Sequence, residues 1–230
     1  MKSLGIATLL TLLAAVAVAE DRYFVPEYDI SLASVSVRVP GKQIVRHFGS
    51  PLPLLDPNTG NPIDSAVVGL RFSDESLSVQ WSVEKTAIAF DLKNNSEVPL
   101  AILWNKASYV SPDGRAHPVF HQGIRYADRM ADKAPSVVPG GDRLSDVVAP
   151  ADFVRYENGW RTEPLLPQTL PSSSEARKAK NDLLLGTSFK VFLPVAFDLA
   201  VHEYTFEFVI LWIDDKEVSW DEFVSRLKKN

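Results

Sequence analysis

Two histidines stand four positions apart in His117-Pro118-Val119-Phe120-His121, and Arg125, Tyr126, Asp128 and Arg129 follow closely. Imidazole is a common ligand of zinc and copper, so a metal site is the first chemistry these types suggest, with Asp128 or His202 as a third ligand. On a helix this spacing puts both rings on one face. In an extended strand it separates them by about 13 Å. Pro118 and the Val119-Phe120 pair favour strand or loop, so a shared ion needs a bulge or sharp turn between the histidines.

Acyl transfer is the second chemistry. It needs a serine beside its histidine, often in a glycine-flanked elbow, and no G-x-S-x-G occurs. Ser172-Ser173-Ser174 sit in a Pro/Ser turn. A hydrolase working through a carboxylate pair stays open, because 29 acidic residues always supply a pair somewhere, but none stands out at a strand end. With no cysteine, thiolate nucleophiles, thiolate metal sites and disulfides are excluded. No motif calls for a cofactor.

Recognition is the third chemistry. Arg125 and Arg129 offer planar donors and Tyr126 an aromatic face, which suits a polar or anionic partner. The same arginines can instead pair with Asp128 and pin their own loop, since a loop's polar groups need partners. The leading expectation is a non-catalytic binding or envelope-assembly module. It acts by surface recognition through His117, His121, Arg125, Tyr126, Asp128 and Arg129, on a protein or another envelope component. A metal-binding protein using His117 and His121 comes second, and a hydrolase with an acidic pair third.

The elements that must position these residues read mostly as strands. Ile30 to Val39 alternates and ends at Pro40-Gly41. Pro51, Pro53, Pro57, Gly60 and Pro62 then set turns in a surface loop. Ala66–Phe72, Leu77–Val83, Thr86–Lys93 and Val98–Trp104 read as strands, with Ser73-Asp74-Glu75-Ser76 and Asn94-Asn95-Ser96 as turns. Residues 107–150 read as a long polar loop. Trp160 and the prolines after it read as an extended segment packed on the domain, and Ser174-Glu175-Ala176-Arg177 as one helical turn. Ser188–Phe197 and Val201–Ile213 form a hairpin turning near Asp198-Leu199-Ala200. On its return strand Tyr204, Phe206, Phe208, Ile210 and Trp212 share one face, which marks that strand as central.

The tail changes character. Ser219-Trp220-Asp221-Glu222 has capping-box spacing, and Trp220, Phe223, Val224 and Leu227 recur at helical spacing, so a short helix covers a sheet edge or core end. Turn signals at intervals of about 8–12 residues suggest a β-sandwich of about seven to nine strands.

Composition bounds the setting. Hydrophobic residues make up 46% of the chain, enough for a packed core, and the net charge is −5 with no dense basic tract, which argues against nucleic acid. Lys2, an uncharged run from Leu4 to Val18 and Ala17-Val18-Ala19 match a secretory leader cleaved after Ala19. That predicts a periplasmic or secreted product with no stable membrane span. The expected division is a leader at 1–19, a strand-and-loop extension at 20–65, a sandwich at 66–213 and a C-terminal helix at 214–230.

Several segments together resemble uncharacterised bacterial exported proteins. They are Phe90-Asp91-Leu92-Lys93-Asn94, Pro99-Leu100-Ala101-Ile102-Leu103-Trp104, the His117-to-Arg129 patch, Pro135-Ser136-Val137-Val138-Pro139-Gly140, Leu193-Pro194 and Tyr204-Thr205-Phe206. The resemblance implies an immunoglobulin-like β-sandwich in the envelope and assigns no activity and no catalytic residue. Many such proteins look like lipoproteins, whereas this chain has no cysteine to carry a lipid.

Overall fold

Two apolar alternations at the end of the chain build the strongest ribbon. Ser188–Phe197 and Ala200–Val218 pair antiparallel, and Phe197 faces Ala200 across a two-residue turn in which Asp198 takes the left-handed φ of 44° that hairpin turns require. The computed structural model describes residues 22–47, 69–198 and 200–228. The leader and the proline-rich loop fall outside them, as does the start of the strand expected from Ala66.

In chain order the strands are β1 (Tyr23–Val39), β2 (Lys42–His47), β3 (Arg71–Ser73), β4 (Leu77–Val83), β5 (Ile88–Asn94), β6 (Leu100–Ile102), β7 (Ser108–Val110), β8 (Ala116–Phe120), β9 (Ser136–Val138) and β10 (Arg143–Pro150). After them come β11 (Val154–Tyr156), β12 (Trp160–Thr162), helix α1 (Ser174–Leu184), β13 (Ser188–Phe197), β14 (Ala200–Val218) and helix α2 (Trp220–Lys228). That makes fourteen strands among the described residues, against the seven to nine expected. Most of the difference lies in residues 107–150, expected as a loop. β7, β8, β9 and β10 occupy it, three of them only three to five residues long. Strands that short carry too few alternations to register as a period of two.

The protein is a mostly β sandwich with a short C-terminal helix. Its hydrogen-bonded path runs β2-β1-β14-β13-β7-β8-β10-β5-β4-β3, with β6 and β9 branching from β13. The path turns over at β7, β8 and β10, so that β14 and β13 face β4 and β5. Trp81 of β4 packs edge-on against Phe206 and Phe208 of β14, with ring centroids 4.8 and 5.6 Å apart, and Phe72 meets Phe206 at 5.7 Å. Each such side chain contributes roughly 1.5–3 kcal/mol through burial, and aromatic geometry adds to that. Pro194 of β13 falls between the stretch that pairs with β7 and the stretch that pairs with β6, where a missing N–H costs no ladder bond.

β1 starts at Tyr23, seven residues before the expected strand, and follows β14 to Val218. The ladder carries two irregularities. Asp29 faces Trp212 and Ile30 faces Ile210, so Leu211 is an extra residue on β14; Leu32 faces Phe208 and Ser34 faces Glu207, so Ala33 is an extra residue on β1. The bulge at Leu211 reverses the alternation. Ile213 is buried and Trp212, expected on the core face, is 46% exposed.

α2 is capped as its spacing predicts, with the Glu222 N–H donating to Ser219 Oγ at 3.3 Å. Tyr23 packs on Trp220 and Phe223, Arg226 binds Glu27, and Lys85 Nζ donates to the Arg226 carbonyl, so the helix covers the start of β1. Among the described residues no helix is long and apolar enough to cross a membrane.

Glu207 ties three strands together. Its carboxylate accepts from Ser34 Oγ of β1 at 2.8 Å and Ser188 Oγ of β13 at 2.9 Å, and Lys190 Nζ lies 3.2 Å away. Burial pushes this carboxyl up, but the hydrogen bonds from Ser34, Ser188 and Lys190, with the Lys190 charge, outweigh it and hold the group below its usual range. A folded-state value below the unfolded one stabilises the fold above the unfolded value, near ~4.3, and that stabilisation is lost as pH falls through the folded value. Glu207→Gln is expected to lower stability at neutral pH and to flatten the loss of stability below about pH 4–5, read by urea denaturation across a pH series.

Candidate functional site

Where the sheet turns over, three segments meet: the β7–β8 hairpin, the stretch from His121 to Lys133, and the run from the end of β10 through β12. His117 lies on β8 opposite Tyr109 of β7. Its Nδ1 is 2.8 Å from Asp152 Oδ2, its Nε2 is 3.0 Å from Ser111 Oγ, and the Phe153 ring stands edge-on to it at 4.9 Å. Serine, histidine and aspartate in this order are the nucleophile, base and orienting acid of acyl transfer. The sequence search missed the set because Ser111 lies in a Pro-Asp-Gly turn and Asp152 in a 3-10 turn, Ala151–Phe153, far along the chain.

The proton inventory points to a brace instead. Ser111 has one hydroxyl proton and donates it to Asp113. That hydrogen bond comes first among the influences holding the Asp113 carboxyl below its usual range. The hydroxyl proton that a nucleophile would pass to His117 is thereby turned to a carboxylate. The neighbouring N–H groups are also engaged: Ser111 with the Arg115 carbonyl, Gly114 with the Ser111 carbonyl, and Arg115 with Asp113. No pair of them is left for a developing oxyanion. The chain Asp113–Ser111–His117–Asp152 fastens the hairpin to the 151–153 turn. Beside it Tyr109 is buried, and its hydroxyl has no partner among the described residues; burial first, then the Asp113 charge, raise its pKa.

His121 is held separately. Its ring stacks on Trp104 at 4.4 Å, and its Nδ1 is 3.2 Å from Asp146 Oδ2. Asp146 is buried, and its Oδ1 accepts the backbone N–H groups of Gln122 and Val147, each at 2.8 Å. The two histidines thus face different carboxylates and different aromatic rings. The expected third ligands stand elsewhere, Asp128 on Arg125 and His202 against Phe197. Among the described residues no group of three or more His, Asp or Glu side chains is placed to hold a metal ion.

The remaining candidates do come together. Arg125 pairs with Asp128 at 2.7 Å across the 3-10 turn Tyr126–Asp128, as the loop-pinning alternative expects. Arg129 reaches inward: its Nε donates to the Ala151 carbonyl and its Nη1 to the Tyr126 carbonyl, and its guanidinium lies 5.3 Å from the Trp160 ring. Tyr126 stands edge-on between Phe120 and Trp160, 5.8 Å from each, and Trp160 meets Tyr156 at 5.3 Å. Tyr126, Trp160 and Tyr156 are 40%, 43% and 69% exposed. The result is an open aromatic surface gripped by one arginine, with the Arg155–Glu163 ion pair on the same β11–β12 hairpin.

Trp160 and Tyr156 were not among the expected site residues. The signal for them is Asn158-Gly159, a strong hairpin dipeptide, with Asn158 at φ 54°. That hairpin sets Tyr156 directly across from Trp160. Comparison with known proteins finds no matching family model, no matching curated protein and no matching solved structure.

Asp146→Ala removes the acceptor of two backbone N–H groups and the partner of His121. It is expected to cost about 3 kcal/mol in chemical denaturation, the scale for breaking a buried pair.

Proposed function

We propose that this chain is an exported, non-catalytic recognition module that binds a protein of the cell envelope through Tyr126, Trp160 and Tyr156. The observation that carries this reading is the exposed aromatic surface itself, held in place by Arg129. Aromatic side chains and arginine are enriched where protein interfaces gain most of their affinity, and a surface ordered in advance spends less free energy on binding. Three rings left open to water, while Arg129 ties the Tyr126 carbonyl to that of Ala151 and the β11–β12 ladder sets Tyr156 across from Trp160, suit that role.

The address rests on other support: the leader pattern of Met1 to Ala19 and the resemblance to uncharacterised bacterial exported proteins. The immunoglobulin-like form of the sandwich rests on the same resemblance. The ordinary loop position of the surface fits recognition too, since rigid β scaffolds commonly carry their contacts on loops.

A photoreactive phenylalanine analogue at position 126 tests this in a fractionated envelope extract. The expected result is one discrete protein adduct that drops about tenfold or more when Trp160→Ala is added, the scale of a central interface residue. The same adducts from a control probe at exposed Ser82 of β4, or no adduct at all, contradict the reading.

A further inference from the structure

A second surface has the makings of a small-ligand site, and none of its residues belongs to the aromatic surface above. α1 is eleven residues long, yet it buries no residue. A helix on a globular domain ordinarily buries one face. This one is held mainly by Arg177, whose guanidinium lies 3.5 Å from the Phe24 ring centroid, binds Asp215 at 2.9 Å and donates to the Ser172 carbonyl. At its end Leu184 packs half-buried on the core, and between these two anchors its inner side borders a groove of about 310 Å³ against β14, at the lower end of the usual range for small-ligand sites.

One feature of the groove is unexplained by folding. Trp212 forms its wall and is 46% exposed because the extra residue Leu211 turns it away from the core. Burying that indole would stabilise the fold, and a regular ladder would have done so; bulges recur where a side chain is re-aimed for use.

The charges around the groove set the class of ligand. Arg177 is balanced by Asp215, and Lys178 and Asp182 add one of each sign. Neither an anion nor a cation is selected. A flat apolar indole beside a balanced polar rim matches a ligand with a C–H face and a hydroxyl edge. We propose that this groove binds a neutral pyranose glycan, with the sugar ring on Trp212 and its hydroxyl edge against the rim of Arg177, Lys178, Asp182 and Asp215.

Isothermal titration of the exported protein with cellotetraose and with the β-1,4-linked N-acetylglucosamine tetramer tests this. Saturable binding of at least one tetramer is expected. Trp212→Ala should weaken it about tenfold or more, as loss of a stacking face implies, while Trp212→Phe retains part of it. Trp160→Ala should leave it unchanged, so failure of the protein-binding surface and failure of this site are separable. Trp212 is a surface side chain, and an unchanged Tm shows that the variant folds. No binding of either tetramer at millimolar concentration, or equal binding by Trp212→Ala, overturns the proposal.

Discussion

The edge-to-face contact of Trp81 with Phe206 and Phe208 joins the two layers, and the other features take their places from it. With no cysteine in the chain, no disulfide assists it. A single sheet path must fold over for these rings to meet, and the fold-over occurs at β7, β8 and β10, of which β7 and β8 are short. Short strands suit a corner, because a long one would carry its ladder straight on. The corner is therefore where loops gather, and where the histidines and arginines of the candidate site are brought near one another.

Polar groups then fix what the core only locates. Buried Asp146 and half-buried Glu207 each take three partners, a carboxylate's way of offsetting the cost of leaving water. Asp146 joins β10 to the start of the loop from His121 to Lys133, and Glu207 joins β1, β14 and β13. Asp152, through His117, fastens the β7–β8 hairpin to the 151–153 turn, and the Ala151 carbonyl in that turn receives Arg129. The aromatic surface is thus connected to the sheet by a short series of hydrogen bonds and ring contacts. Its order comes from the scaffold and needs no bound partner.

The parts legible in sequence are those with enough period to read. Leu77–Val83 and Ser188–Phe197 show clean alternation and occupy the residues expected. Ser219 and Glu222 announce α2 through a local capping pattern, which depends on nothing distant. Short strands gave no such signal, so residues 107–150 read as loop. Trp212 was misplaced for a different reason: one extra residue in β14 inverts every later position, and nothing in the sequence marks Leu211 as extra. The histidine pair suggested a metal from residue type, although its spacing in a strand spoke against a shared ion; the carboxylates that engage the two rings, Asp146 and Asp152, lie 25 and more residues away, beyond any local pattern. Trp160 and Tyr156 were within reach through Asn158-Gly159, a dipeptide that marks the hairpin between them.

The central claim is that the loop from His121 to Lys133 is ordered by the scaffold itself. Its most direct measure is amide hydrogen exchange at Gln122, whose N–H is bonded to the buried Asp146 carboxylate, in the isolated protein. The account predicts protection approaching that of the β10 amides, so that Gln122 exchanges with the sheet. Exchange at the rate of a free loop would contradict it.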